Sequence, residues 1–293
     1  MSDQEEEDCT MNARKSMFAG SWYPAGAAAC EREIERFLTE GTAWQVPQRS
    51  YVGGIVPHAG WFYSGAIACN VIHKLVETPA PDVLLLFGMH LPSGAPNYIM
   101  KTGHWETPFG ELAIESRVAD ALTKEFSFKI ETERQFLPDN TIELQLPFIK
   151  YFFRDIAIVP MGVPPDAASL EIGKRAVTLA HTLGLKVKVI GSTDLTHYGV
   201  NYGFMPKGTG KAAVEWVKNE NDRQVIDAMA SLSPEKVLES AFDHHNACCA
   251  GAAATAISAA KTIGAGPAQI VTYTTSYDKS PGDSLVGYVG MVF

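Results

Sequence analysis

The chain has 293 residues, 46% of them hydrophobic, and its 24 basic against 33 acidic side chains give a formal net charge of −9. That is enough apolar material for one large α/β domain or two small ones, while the acidic surplus, with no basic cluster, excludes nucleic acid and anionic membrane as expected partners. No apolar stretch is long enough to span a bilayer, and five irregularly spaced cysteines fit no disulfide framework, so a cytoplasmic protein with free thiols is expected.

Residues 1–16, opening "MSDQEEEDCT", read as a disordered acidic tail, followed by a single domain over 17–293. Residues 28–40 place Ile34, Phe37 and Leu38 on one helical face. "YVGGIV" (51–56) is the first of six apolar, largely β-branched runs that read as strands, and it leads into "PHAGWFYSG" with His58. A helical pattern over 64–77 separates it from "DVLLLF" (82–87), which runs into "GMHLPSG" with His90. "YIMKTGHWETPFGELAIE" reads as a hairpin turning at Pro108–Gly110. In "PDNTIELQLPFI" (138–149) the lone acid Glu143 is costly to bury without a partner. It is read as an acceptor for a site histidine or a general base, against a plain capping or solvent-facing role.

"IAIVPM" (156–161), a helical pattern over 168–183 and "LKVKVI" (185–190) follow, and the last runs into "GSTDLTHYG" with Asp194 and His197. "PKGTGKAAVEW" (206–216) lacks the spacing and the preceding strand of a phosphate-binding loop and reads as a loop entering a helix. "DHHNACCAGAAATA" (243–256) opens an Ala-rich helix from Asn246, with Cys248 and Cys249 in its first turn, where the positive helix end favours thiolate. Both cysteines could equally be small core residues, and His244 with Cys248 forms a lesser candidate metal pair. "QIVTYTT" (269–275) and "VGYVGMVF" (286–293) complete the strands.

Strands alternating with helices, plus one hairpin, indicate a three-layer α/β fold: a mixed, mostly parallel central sheet with helices on both faces. Ligands in such sheets bind beyond the carboxyl ends of the strands. Three strands end in loops carrying His58, His90, and Asp194 with His197. Neighbouring parallel strands would bring these loops to one point, where imidazoles can hold a metal and Asp194 can be a ligand or a histidine's partner. The competing reading is that each histidine merely caps its loop. No GxSxG, HExxH or dinucleotide-binding motif is present, and the sequence context of a cysteine protease is absent.

The strings "AGSWYP", "PHAGWFYSG", "FGMHLPSG", "WETPFGEL", "IELQLPF", "GSTDLTHYG", "ACCAGAA" and "VGYVG" occur in this order across nearly the whole chain. Together they resemble the Memo family, known in prokaryotes as AmmeMemoRadiSam system protein B, which is similar in fold to class III extradiol dioxygenases. The resemblance implies a divalent metal pocket of two histidines and a cysteine, here His58, His90 and Cys248. Iron is the first expectation, with copper or zinc as alternatives. It implies Asp194, His197 and Glu143 as candidate catalytic residues, with His197 as acid/base. Two departures stand out: Asp139–Asn140–Thr141 replaces the family's Glu-His-Ser, and Cys249 replaces a glycine. The expected function is an iron-dependent oxygenase-like or redox enzyme. A peptide- or protein-binding module using the same pocket and a zinc hydrolase are the alternatives, with a small molecule or peptide as ligand.

Overall fold

The structure is a computed structural model that describes residues 13–47, 49–76 and 80–293. Its strands are β1 (Ala13–Arg14), β2 (Gly53–Val56), β3 (Val83–Gly88), β4 (Asn97–Met100), β5 (His104–Thr107) and β6 (Gly110–Ala113). They continue with β7 (Phe128–Glu131), β8 (Ala157–Gly162), β9 (Val187–Ser192), β10 (His197–Gly199), β11 (Gln269–Thr275) and β12 (Ser284–Val292). The six apolar runs all form strands, with ends within two residues of those expected.

The main sheet has the order β10-β12-β2-β9-β3-β8-β4-β7, with β11 added to β12. The four central strands β2, β9, β3 and β8 are mutually parallel. Antiparallel pairing is confined to the flanks, where β12 joins β2 and β4 joins β8. The alternation of side chains puts Val83, Leu85 and Phe87 of β3 in one core and Leu84 and Leu86 in the other. Helices Ala167–Thr182 and Ala250–Ile263 cover the first face, and Ala27–Gly41, Ala66–Lys74 and Leu146–Phe153 cover the second. This is the three-layer α/β architecture read from the sequence, with a parallel centre and a further parallel pair, β4 with β7, at one edge.

The Ala-rich helix Ala250–Ile263 lies almost against β9. A Cβ built on Gly191 would come within 2.7 Å of Ala256 Cβ and 2.8 Å of the Ala252 carbonyl oxygen. Gly191→Ala should therefore cost about 1–3 kcal/mol, as overpacking of a tight core does. Urea denaturation would show the loss, and an unchanged midpoint would contradict so close an approach.

The first described residues differ from expectation. The tail was expected through residue 16, but β1 pairs in parallel with β5, and Arg14 is 1% exposed. Its guanidinium stacks on Trp105 and Phe136 and binds Glu131 at 2.7 Å. The rest of the expected tail, residues 1–12, lies outside the described residues. The hairpin forms as β5 and β6, whereas Asn97–Met100 leaves it to extend the main sheet. The Ala-rich helix begins at Ala250, with Cys249 as its N-cap, so both thiols precede the first turn rather than sitting in it.

Candidate metal centre

Because β9 lies between β2 and β3, the three functional loops leave adjacent parallel strands at the same end. His58 follows β2, His90 follows β3 and Asp194 follows β9. The His58 and His90 rings stand edge to face with centroids 4.9 Å apart. The ligand atoms of His58, His90, Cys248 and Cys249 all lie within 4.8 Å of one another.

Each donor is aimed by a specific neighbour. The Ser192 hydroxyl donates to the Thr141 carbonyl at 2.8 Å, so at 2.9 Å it must accept from His58 Nδ1–H. That leaves His58 Nε2 facing the Cys248 sulfur at 3.2 Å. Asp194 Oδ1 accepts the His58 backbone N–H at 2.7 Å, and Asn140 Nδ2 donates to the His58 carbonyl at 3.0 Å. Met89, immediately before His90, has a left-handed φ of 71°. A non-glycine residue there carries strain on the order of 1–3 kcal/mol. Its N–H is held by Thr141 Oγ1 at 2.7 Å. Thr141 thereby supports both histidine loops.

The cysteine loop is zipped to the loop after β9. Cys248 N–H donates to the Asp194 carbonyl at 3.1 Å, Asp194 N–H donates to Cys248 Sγ at 3.3 Å, and Cys249 N–H donates to Thr193 Oγ1 at 3.1 Å. Burial alone would raise the Cys248 thiol, but Cys249 and His58 hold it well below the ordinary cysteine range. Burial and the adjacent Cys248 thiolate push Cys249 well up. Burial works against protonated His58, yet Asp194 and Cys248 outweigh it and raise the imidazole to about 9. The two shifts have opposite directions and favour charge on both groups, and a metal bound between them would compete with the proton for the same donors.

Asp194 lies in the loop after β9 and His197 opens β10, and the two have different partners. Asp194 serves His58, and burial raises its carboxyl. His197 Nδ1–H donates to the Leu195 carbonyl at 3.1 Å, so that carbonyl rather than Asp194 fixes its tautomer. Its ring meets Tyr202 edge on at 4.9 Å. Glu143 lies away from the cluster. Its Oε1 accepts from the N–H groups of Met17 and Phe18 at 2.8 and 2.7 Å and from Tyr23 Oη at 3.1 Å. It ties the incoming chain to the core and accepts from neither histidine of the cluster. His244, in the helix Pro234–His244, is also outside the four-residue group.

Ser192, Thr193, Asn140 and Thr141 were not singled out as site residues, although all lie inside or beside the quoted strings. Short hydroxyls and amides at loop bends are common, and only the folded register shows which face a ligand. Asp222 was missed entirely. Buried under the β9 loop, it accepts from Thr196 N–H at 3.0 Å and Tyr273 Oη at 2.7 Å.

Burial lifts the Asp222 carboxyl to about 6 from an ordinary 3.8. A carboxyl raised on folding contributes stability that is full below the unfolded pKa and is lost as pH rises through about 6. Asp222→Asn should therefore flatten the fall in folding stability between pH 4 and 7 relative to the unaltered protein. Parallel stability–pH curves in urea titrations would contradict the assignment.

Of the cluster, His58 and His90 line a cavity of about 660 Å³ together with Asp194, His197, Tyr63 and Tyr202. A second cavity of about 610 Å³ reaches Cys248, and His90, His197 and Tyr202 line both.

A family model described as Memo-like protein matches residues 14–292. The chain belongs to the Memo family. Memo relatives include a MEMO1 family protein of Pyrococcus furiosus, 30% identical and covering 95% of this chain and 98% of its own length. A MEMO1 family protein of Pyrobaculum arsenaticum is 30% identical, covering 97% of this chain and 99% of that relative. In fold, the chain is similar to an uncharacterized protein of Escherichia coli K12, with TM-score 0.52 and 11% identity, over 82% of this chain and 98% of that one.

The donors of this Memo protein suit a metal ion. Two imidazoles and a thiol held below its ordinary range converge beside the two cavities, and His58 is held in the tautomer that presents Nε2. Among the described residues no helix is long and apolar enough to cross a membrane.

Proposed function

We propose that the protein is a metal-dependent enzyme of oxygenase-like or redox type, acting on a small molecule that enters the larger cavity. The observation that carries this reading is the convergence of His58, His90 and Cys248, with His58, His90 and His197 lining one cavity. When bound, the metal supplies Lewis acidity and, if it is iron or copper, one-electron chemistry. Iron is the ion the family resemblance implies, whereas a thiolate donor departs from the two-histidine, one-carboxylate iron triad and suits copper or zinc better.

The chain's own residues supply orientation and a proton site. Asp194 fixes the His58 loop and the cysteine loop together through its carboxylate, N–H and carbonyl. The Leu195 carbonyl holds His197 with Nδ1 protonated, so its Nε2 is the basic atom that can take a proton from a substrate. Tyr63, Tyr202 and Tyr288 line the same cavity, giving aromatic walls and hydroxyl groups to a ligand.

The test combines metal analysis with dioxygen uptake. His197→Ala should keep its metal and lose at least about 10²-fold in any turnover found, as removal of a general base does. Loss of metal in that variant would make His197 a ligand instead. A second reading rests on the exposed aromatic rim: Trp22 is 41% and Phe62 63% exposed at the cavity mouth. Such a rim fits a peptide-binding pocket. Peptide capture by metal-free protein, lost in Trp22→Ala and Phe62→Ala, would favour it over catalysis.

A further inference from the structure

We infer that Cys249 is a fourth protein donor, making the centre a His2Cys2 site built for a soft d10 ion, zinc(II) or copper(I), rather than for iron(II). This rests on the reading that His58, His90 and Cys248 hold a metal, and it concerns the one residue that the three-donor site leaves unused.

The geometry carries it. In a tetrahedral site with metal–sulfur bonds of about 2.3 Å and metal–nitrogen bonds of about 2.0–2.1 Å, sulfurs stand about 3.8 Å apart and sulfur–nitrogen pairs about 3.5 Å apart. The Cys248 and Cys249 sulfurs are 3.8 Å apart. Cys248 Sγ lies 3.2 Å from His58 Nε2, and Cys249 Sγ lies 3.3 Å from His90 Nδ1. Three edges of the coordination figure are thus near their final lengths, and the remaining pairs lie within 4.8 Å. Small side-chain adjustments bring all four donors onto one ion.

Burial adds a second argument. Cys249 is 4% exposed. A core thiol would put its sulfur among carbon atoms. This one points at a second sulfur and an imidazole nitrogen, while its N–H is pinned by Thr193 Oγ1. Thiolate donors favour zinc and copper(I), and two thiolates with two imidazoles make a set that soft tetrahedral ions fill completely. A substrate would then reach the ion only by displacing a donor. Cys249 is the candidate to leave, because the Cys248 sulfur alone is anchored by a backbone N–H.

Cobalt(II) titration of metal-stripped protein reads the number of thiolates directly from sulfur-to-metal charge-transfer absorbance. Wild-type protein should show tetrahedral cobalt bands. Cys249→Gly and Cys249→Ser should each lose about half of the charge-transfer intensity and bind zinc at least about tenfold more weakly, with their circular dichroism unchanged. Copper(I) affinity should fall with zinc affinity, and iron(II) affinity should fall less. Metal analysis of anaerobically purified protein then tells zinc from copper. Cobalt spectra and zinc affinities equal to wild type in both Cys249 variants would overturn the fourth donor while leaving the three-donor site standing. Wild-type protein with no charge-transfer band at all would overturn the metal reading itself.

Discussion

Purified His58→Ala and His90→Ala proteins will each carry little metal where the unaltered chain carries about one ion, and their folds will be intact. Losing an outer hydrogen-bond partner of a metal ligand costs about 10–100-fold in affinity, and losing the ligand itself costs more. The fold should survive because the backbone bonds that hold the loop remain. Asp194 Oδ1 holds the His58 main-chain N–H, which the substitution keeps, and Thr141 holds the N–H of Met89. Inductively coupled plasma analysis of both variants, with circular dichroism as the control, checks the expectation. Full occupancy in either would remove that histidine from the centre.

The largest loss of stability is expected from Arg14→Ala. The guanidinium is buried against Trp105 and Phe136, and its partner Glu131 is 8% exposed. Removing one member of a buried pair leaves the other charge without compensation, at about 3–5 kcal/mol. For a chain of this size that corresponds to a fall in melting temperature of roughly 6–20 °C. The neighbouring pair of Lys15 and Glu106 is solvent-exposed and 3.7 Å apart. Lys15→Ala should cost under about 1 kcal/mol, as surface ion pairs do. Differential scanning calorimetry of the two variants separates the cases. Equal shifts would mean that Arg14 does not anchor the start of the fold.

The strands were legible in the sequence because the central sheet is covered on both faces. Residues 83–88 are buried throughout, which makes them read as a continuous apolar run. The site was legible for a related reason: strand ends are where such a sheet binds ligands, and three of them carried histidine. What escaped depends on distant chain. Glu143 looked like a catalytic acid because nothing local could neutralise it, whereas its partners are backbone N–H groups 125 and 126 residues away. Asp194 could be a ligand or a histidine's partner, and sequence alone does not say which histidine it serves. In the fold its carboxylate faces back across the β2–β9 pair toward His58, and a carbonyl two residues before His197 takes over that ring. β1 was hidden because a two-residue strand has no periodicity, and the buried Arg14 looked like one more charge in a polar tail.

The Cys248–Cys249 pair shows the same limit at closer range. Adjacent residues on a regular helix point about 100° apart, so two cysteines in a first turn cannot both face one ion well. They sit instead in the irregular link before Ala250, where the backbone turns both sulfurs toward the histidines.

X-ray absorption at the edge of the metal bound to the unaltered protein tests the central claim most directly. The account predicts imidazole scattering together with a sulfur shell at about 2.3 Å. A first shell of oxygen alone, with neither imidazole nor sulfur, would place the ion elsewhere and contradict it.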